Sequence, residues 1–202
     1  MQRGVSQCVG LGAGFDTFAY RQPDWARRLR IYEVDHHGTQ AEKRRRLQHA
    51  GVLIPPNLEF VAIDFESVSL YDGLRASSLD FSQATFFSCL GVLVYLSRGA
   101  VDAVFELVAG FPAGSEIVLT FSTRERAHAS MAEKVDALGE PWRTHFEPEA
   151  LIGDLRALGF SEISLLSAED AQRSYFCGRS DGLHAPPRAG IAAAIVGAGA
   201  RS

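Results

Sequence analysis

The sequence predicts an α/β fold built on a mostly parallel sheet. Two observations predict it: short runs rich in β-branched and aromatic residues alternate with longer stretches of helical periodicity, and the first run ends in a glycine-rich turn. A chain of 202 residues is long enough for one well-cored domain and short for two. We therefore expect a single domain over residues 1–202, with a seven-stranded, mostly parallel sheet flanked by helices.

The individual elements follow from this alternation. The predicted strands are 7–11, 30–35, 58–63, 84–90, 116–121, 162–166 and 174–177. The predicted helices are 17–29, 39–50, 68–76, 98–110 and 148–158. A polar helical stretch, 124–138, is longer than a simple connection, so we predict a lid over the strand ends within residues 124–147. The apolar stretch 189–200 is shorter than the roughly 18 residues of a membrane span and predicts a terminal strand or a frayed tail.

Composition excludes several classes of function. A net charge of −4 gives no general attraction to nucleic acids or anionic membranes, and the basic run 43–46 lies beside Glu42, as on a solvated helix face. Cys8, Cys89 and Cys177 are odd in number and far apart, which argues against disulfides and zinc. We expect three buried thiols, no metal site, and, with no export signal at the first residues, a cytoplasmic protein.

The sharpest local signal is the glycine turn at residues 9–17, which reads VGLGAGFDT. Such a turn lets the backbone approach a ligand without interference from a Cβ atom, although a purely structural turn is an alternative. Counted from Gly12, a dinucleotide-binding G-x-G-x-x-G pattern requires glycine at position 17, where this chain has Thr17. A pyrophosphate-binding turn is therefore disfavoured.

Acidic residues stand at the ends of the next two predicted strands. Glu33 and Asp35 lie two apart and share one face, so only one is the main ligand of a ribose; we favour Asp35, nearer the strand end. A solvated strand end is the alternative. Asp64 is placed to accept from an adenine amino group, beside Phe65 as an aromatic cover, or else to cap the next helix. Spacing alone leaves those two interpretations of Asp64 open.

These residues resemble the leucine carboxyl methyltransferase-like family of class I S-adenosylmethionine-dependent methyltransferases, which includes many bacterial O-methyltransferases. The resemblance spans most of the first half of the chain. It rests on LGAGFDTFAYR at 11–21, YEVD at 32–35, AEKRRRL at 41–47, DF at 64–65 and FFSCLGVLVYL at 86–96. The later YFCGR at 175–179 resembles the final strand of the family.

The resemblance implies a Rossmann-like fold and S-adenosylmethionine as the cofactor. It places the methionine portion along Gly12, Ala13 and Gly14, the ribose on Asp35, and the adenine on Asp64 and Phe65. At the end of the fourth strand the family often has Glu, and the matching Leu90 supplies only packing. Family members usually have a helical segment with an arginine before the first strand, so a chain beginning at the strand is expected to bind the cofactor weakly.

The implied function is transfer of a methyl group to oxygen on a small-molecule or carboxyl acceptor. Because the cofactor carries an activated methyl group, no nucleophilic side chain is needed, and we assign no catalytic base. Tyr95 is a candidate for lining the acceptor pocket or for the core. The histidines 36, 37, 128 and 145 are interpreted as surface or packing residues. An inactive cofactor-binding remnant is the first alternative. A nicotinamide-dependent oxidoreductase is disfavoured by Thr17 and by the lack of a Tyr-x-x-x-Lys pair.

Overall fold

The computed structural model describes residues 4–123, 142–185 and 190–199, and these form an α/β fold around one seven-stranded sheet. The strands are Gln7–Leu11 (β1), Arg30–Asp35 (β2), Leu58–Ala62 (β3), Thr85–Cys89 (β4), Glu116–Phe121 (β5), Phe160–Leu166 (β6) and Gly190–Val196 (β7). Six of these coincide, within two residues at either end, with predicted strands. The predicted fold class is confirmed.

Among the described residues, five α-helices connect or follow these strands: His37–His49 (α1), Leu70–Arg75 (α2), Arg98–Ala109 (α3), Pro148–Ala157 (α4) and Ala168–Ala171 (α5). Local signals set where they begin. The hydroxyl of Ser69 accepts from the Asp72 amide and that of Ser97 from the Ala100 amide, so serine N-caps start α2 and α3. Pro148 occupies the first turn of α4, where its missing N–H leaves no bond unmade.

The strand order across the sheet is β3-β2-β1-β4-β5-β7-β6. The first five strands in this order are parallel, and β7 is antiparallel to both β5 and β6. The chain moves from β1 outward to β2 and β3, and then crosses back to the other side of β1 with β4. In parallel sheets such a reversal opens a crevice at the carboxyl ends of the strands, where ligands bind.

The two faces of the sheet differ in how well they are covered. On one face, strand residues such as Val9, Phe87 and Ile117 are fully buried against α2, α3 and α4. On the other face a smaller cluster lies under residues 18–29, and Cys8, Phe86 and Val118 are only half-buried. These half-buried residues line an open groove of about 740 Å³.

The single predicted helix over 17–29 is wrong. Two short 3₁₀ turns, Phe18–Tyr20 and Asp24–Arg28, occupy this stretch. Pro23 separates them, and a proline disfavours the helical conformation of the residue before it and removes a backbone donor. Ala19 and Ala26 still bury themselves, which explains the helix-like spacing of apolar residues.

The predicted final strand at 174–177, with its family-like YFCGR, is also wrong. Residues Gln172–Phe176 form one wide helical turn, and Tyr175 is 66% exposed. The seventh strand is instead β7, which confirms the terminal-strand alternative for the apolar stretch 189–200. A residue without a Cβ is required where β7 begins, because a Cβ on Gly190 would come within 2.4 Å of the Phe121 ring.

The three cysteines are free and lie in different environments. Burial raises the pKa of the Cys8 thiol to about 11 and that of the Cys89 thiol to about 12, so both stay protonated. Cys177 is exposed, because the segment around it is not a strand. The expectation of three buried thiols is therefore confirmed for Cys89 alone, because Cys8 is half-buried and Cys177 is exposed.

Most of the predicted lid, residues 124–141, lies outside the described residues. The described end of that segment packs beside the loop after β4. The Arg143 amide donates to the Val94 carbonyl at 2.7 Å, and the Thr144 hydroxyl donates to the Leu96 carbonyl at 2.6 Å. Residues 142–146 therefore border the carboxyl edge of the sheet.

The described residues contain neither a membrane-spanning helix nor a cluster of metal-binding side chains. No helix there has the length and apolar character needed to cross a membrane. Within those same ranges, no group of three or more His, Cys, Asp or Glu side chains is arranged to hold a metal ion.

The exposed glycine in α4 gives a prediction about stability. A Cβ on Gly153 would have no neighbour within 4 Å, and its backbone is helical. Gly153→Ala should therefore raise the free energy of unfolding by about 0.5–1 kcal/mol, because alanine loses less backbone entropy on folding. Urea unfolding followed by circular dichroism measures this change, and a decrease in stability would contradict it.

Candidate functional site

The predicted site residues lie at one edge of the sheet. They follow the carboxyl ends of β1, β2, β3 and β4, which are neighbours in the order β3-β2-β1-β4. These residues are Gly12, Ala13, Gly14, Asp35, Asp64, Phe65, Leu90 and Tyr95. The parallel register brings them together although they span more than 80 positions in the chain.

The glycine turn folds against the end of β2. The amides of Gly12 and Ala13 both donate to the Val34 carbonyl, at 2.8 and 3.1 Å. Gly12 and Gly14 adopt φ values of +67° and +45°, a region that other residues rarely occupy. The Gly14 amide donates to Asp35 Oδ2 at 2.5 Å. The turn is thereby tied to the acidic residue that the sequence paired with it.

Asp35 ends β2 as a partly exposed carboxylate. Its Oδ2 atom accepts from Gly14, and its Oδ1 atom accepts from the His36 amide at 2.7 Å. A carboxylate oxygen has two lone pairs, so each oxygen retains a site for a further donor such as a ribose hydroxyl. Two backbone amides therefore orient this side chain without using up its capacity to accept.

Glu33 is in a different environment, although it is only two residues away. Its side chain is nearly buried, and its Oε2 atom lies 2.6 Å from Lys43 Nζ and 3.3 Å from the Tyr20 hydroxyl. Burial raises the pKa of this carboxyl group despite the favourable partners. Because its carboxylate is already paired, Glu33 is a poor candidate for the ribose, and the ribose role of Asp35 stays a prediction.

Asp64 closes a tight turn after β3. Its carboxylate accepts from the Glu66 amide at 3.0 Å and from the Ser67 hydroxyl at 2.6 Å. The Ser67 hydroxyl and the Glu66 amide lower the pKa of Asp64, which keeps it ionised. The alternative that Asp64 caps the next helix is wrong, because Ser69 caps α2. The adenine role of Asp64 stays a prediction.

Phe65 is partly buried against the core and lines a shallow groove with Tyr71 and Leu107. Its ring therefore has apolar partners on the α2 and α3 side. Two other predicted residues are open to solvent at the end of β4. Leu90 is 52% exposed and Tyr95 is 36% exposed, so neither belongs to the core. Both remain available to line an acceptor pocket.

One contact at this edge was not predicted from the sequence. Val92, in the loop after β4, packs directly over Gly12, since a Cβ built on Gly12 would lie 2.3 Å from Val92 Cγ2. The signal that could have indicated it is the glycine at position 12 itself, because a close approach by another element is one reason for glycine. The loop after β4 thus rests on the glycine turn.

The histidines near the site have identifiable structural contacts. The Nδ1 atom of His36 accepts from the Gly38 amide and so caps α1. Its ring lies 4.1 Å from that of His37, centroid to centroid. The ring of His145 lies edge-on to that of Trp142. His128 lies outside the described residues.

Glu66 gives a prediction about pH. It accepts from the Ser97 amide at 2.6 Å and the Ser97 hydroxyl at 2.8 Å, and these bonds lower its pKa from the ordinary 4.5. A lowered folded-state pKa stabilises the fold above that ordinary value, and the effect is lost as pH falls through the folded pKa. Glu66→Gln should therefore destabilise the protein above pH 5, by less than about 1 kcal/mol after solvent screening.

Thermal unfolding of the wild type and Glu66→Gln between about pH 3 and pH 7 measures this effect. The two unfolding temperatures should converge at the acid end, where Glu66 is protonated and resembles glutamine. A difference that stays constant across this range would show that ionisation of Glu66 is not the cause.

The chain is similar in sequence to known proteins. A family model described as leucine carboxyl methyltransferase matches residues 1–109. A Bacillus subtilis protein, "Putative S-adenosyl-L-methionine-dependent methyltransferase YktD", is 34% identical over 191 residues, which are 90% of this chain and 62% of that protein. The chain thus spans about three fifths of the length of this relative.

Solved structures show the same fold at low sequence identity. A DUF574 family protein from Streptomyces avermitilis superposes with a TM-score of 0.68 at 19% identity, covering 96% of this chain and 77% of that one. An O-methyltransferase family protein from Burkholderia thailandensis superposes with a TM-score of 0.60 at 14% identity, covering 96% of this chain and 51% of that one. The family match covers more than half of the 202 residues, including the glycine turn and the ends of β2, β3 and β4. The chain belongs to the leucine carboxyl methyltransferase family.

Proposed function

We propose that this chain binds S-adenosylmethionine at the β1–β4 edge and takes part in methyl transfer to oxygen on a small-molecule or carboxyl acceptor. The observation that carries the proposal is the bond from the Gly14 amide to Asp35, at the point where the strand order reverses. It joins a close-approach turn to a partly free carboxylate. An adenosyl group linked to an amino acid needs both features side by side.

The residues present fit this cofactor. Asp35 keeps lone pairs for the ribose diol, and Asp64 at the next strand end is an ionised acceptor for an adenine amino group. A Cβ on Gly14 would meet only the Gly12 carbonyl, at 3.9 Å, so the surface of the turn is open there. We assign Gly12, Ala13 and Gly14 to the methionine portion, and Leu90 to packing beside it.

The cofactor supplies a methyl group already activated on a sulfonium. The tasks left to the chain are to hold the acceptor oxygen in line with that methyl group and to exclude water. Leu90 and Tyr95 are exposed side chains at the same edge, so we place the acceptor against them. An ionised carboxyl acceptor needs no base, which agrees with a pocket wall formed by these two side chains.

The alternative function is a cofactor-binding remnant without transfer activity. One observation favours it: beyond the cluster under residues 18–29, the described residues leave Phe86 and Val118 half-buried in an open groove, whereas parallel sheets are usually covered on both faces. Such a form would bind the cofactor and fail to turn it over. We place either form in the cytoplasm, where free thiols such as Cys89 and Cys177 stay reduced.

Isothermal titration calorimetry with S-adenosylhomocysteine tests the proposal directly. We expect one site per chain, and no heat with NAD at the same concentrations. A shift of the unfolding temperature by S-adenosylhomocysteine and not by NAD gives an independent reading, because a ligand stabilises the state it binds. Binding of NAD alone would overturn the proposal. Binding of S-adenosylhomocysteine without methyl transfer to carboxyl or hydroxyl compounds would favour the remnant.

A further inference from the structure

Glu33, the acidic residue not assigned to the cofactor, belongs to a buried polar cluster directly behind the site. The cluster consists of Glu33 on β2, Lys43 on α1 and Tyr20 in the first 3₁₀ turn. Glu33 is 5% exposed and Lys43 is 4% exposed, and their charged atoms are 2.6 Å apart. The Tyr20 hydroxyl lies 3.3 Å from the same Glu33 oxygen, and Lys43 Nζ lies 5.5 Å from the centre of the Tyr20 ring.

This cluster corrects the interpretation of the basic run 43–46 as a solvated face. Arg44, Arg45 and Arg46 are exposed, but Lys43 points inward. Gln40, one turn earlier on the same helix face, is also buried and donates from Nε2 to the Glu33 carbonyl at 3.1 Å. Gln40 and Lys43 of α1 therefore contact the backbone and the side chain of Glu33, respectively.

Each partner is close in sequence to a part of the candidate site. Glu33 stands two residues before Asp35 on β2, and Tyr20 follows Gly14 by six residues. Lys43 belongs to the helix that begins at His37, two residues after Asp35. The cluster thus joins β2, the segment after the glycine turn and α1, which are the three elements that meet around the Gly14–Asp35 bond.

Stability alone does not account for such a cluster. Removing two charges from water costs several kcal/mol, and well-packed apolar residues of similar volume often stabilise a fold equally well or better. A buried pair with a hydroxyl partner does restrict geometry, because each group must stay within hydrogen-bond distance or lose its compensation. The cluster therefore stabilises the fold less than an apolar contact would, but it fixes the relative position of the elements that it joins.

We propose that Glu33, Lys43 and Tyr20 are positioning residues that hold the glycine turn and Asp35 in the arrangement that binds the cofactor. The proposal rests on the proposed function for its effect on affinity. Its structural part, the hold on the Gly14–Asp35 bond, is independent of any ligand.

The main test is the double variant Glu33→Gln/Lys43→Met, which removes both charges at similar volume and leaves no unpaired buried charge. Calorimetry with S-adenosylhomocysteine should show at least a tenfold rise in Kd with the number of sites unchanged. A merely structural role would act through loss of folded protein. Irreversible misfolding lowers the number of sites at unchanged Kd, and reversible unfolding raises the apparent Kd, so the titration is made at a temperature where the variant is fully folded. The matched control is Glu42→Gln/Arg45→Met, which removes an exposed ion pair from the same helix and should leave Kd unchanged.

A second measurement needs no ligand. Amide hydrogen exchange of Gly14, followed by NMR, should accelerate at least tenfold in Glu33→Gln/Lys43→Met, while the Val101 amide in α3 exchanges at its wild-type rate. If the double variant does not fold, Tyr20→Phe decides, because it removes only the hydroxyl; we expect about a threefold rise in Kd and faster exchange at Gly14.

The outcomes separate the two proposals. If the wild type does not bind S-adenosylhomocysteine, the proposed function fails, and the exchange rate of Gly14 still tests the positioning role. If the wild type binds and both cluster variants keep wild-type Kd and Gly14 exchange, the positioning role is overturned while the proposed function stands.

Discussion

Replacing Gly12 with alanine is expected to lower the free energy of unfolding by roughly 2–5 kcal/mol. Two causes add. A residue with a Cβ is strained at φ +67°, which costs about 1–2 kcal/mol. The new methyl group also overlaps the side chain of Val92, which costs about 1–3 kcal/mol. The Cβ would come within 2.3 Å of Val92 Cγ2, so the loop after β4 must move. Urea unfolding measures the loss.

A second substitution separates the two causes. The double variant Gly12→Ala/Val92→Ala lacks the valine methyl groups that the new Cβ would strike. Compared with the single variant Val92→Ala, it should therefore lose less free energy of unfolding than Gly12→Ala loses compared with the wild type. The part due to the backbone conformation should remain, because Val92 does not affect it. If Gly12→Ala unfolds at the same urea concentration as the wild type, the turn does not have the conformation described above.

Asp35→Ala is expected to weaken binding of S-adenosylhomocysteine by about 10- to 150-fold. Loss of a hydrogen bond to a charged group costs about 1.5–3 kcal/mol, and each 1.4 kcal/mol is a factor of ten in affinity. The variant also releases the Gly14 amide from its 2.5 Å bond, which loosens the glycine turn. Calorimetry gives the change in Kd.

The matched control for this prediction is Asp24→Ala. Asp24 is a fully exposed aspartate whose partner, Arg27, is also on the surface, so its removal changes the net charge equally without touching the site. Its affinity should equal that of the wild type. If Asp35→Ala binds as tightly as Asp24→Ala, Asp35 is not the ribose ligand.

The strands of this protein were predictable because their signals are local and repeated. Five parallel strands and β6 each coincide with a run of apolar or β-branched residues, and the strand ends carry the glycine turn and the acids. In a parallel sheet those ends share one edge, so strand prediction alone placed Gly14, Asp35 and Asp64 together.

Two predicted elements, the helix 17–29 and the strand 174–177, were wrong for specific physical reasons. Pro23 interrupts a stretch whose apolar spacing resembles one helix, and the aromatic residues at 174–177 resemble a strand that the chain does not pair. The true seventh strand reads GIAAAIV, in which Gly and Ala have weak β propensity. The reason for glycine at position 190 lies in the tertiary structure, where the Phe121 ring packs against it.

The sequence by itself determined the fold class, the positions of most strands, the glycine turn and the family to which the chain belongs, because these depend on neighbours in the chain. Only the tertiary structure distinguishes the environments of Glu33 and Asp35, since both are acidic, two residues apart and on one strand. The side chain of Glu33 contacts Lys43 and Tyr20, whereas that of Asp35 accepts hydrogen bonds from two backbone amides. A side chain's role depends on which groups from distant elements compensate its charge, and that information is absent from local spacing.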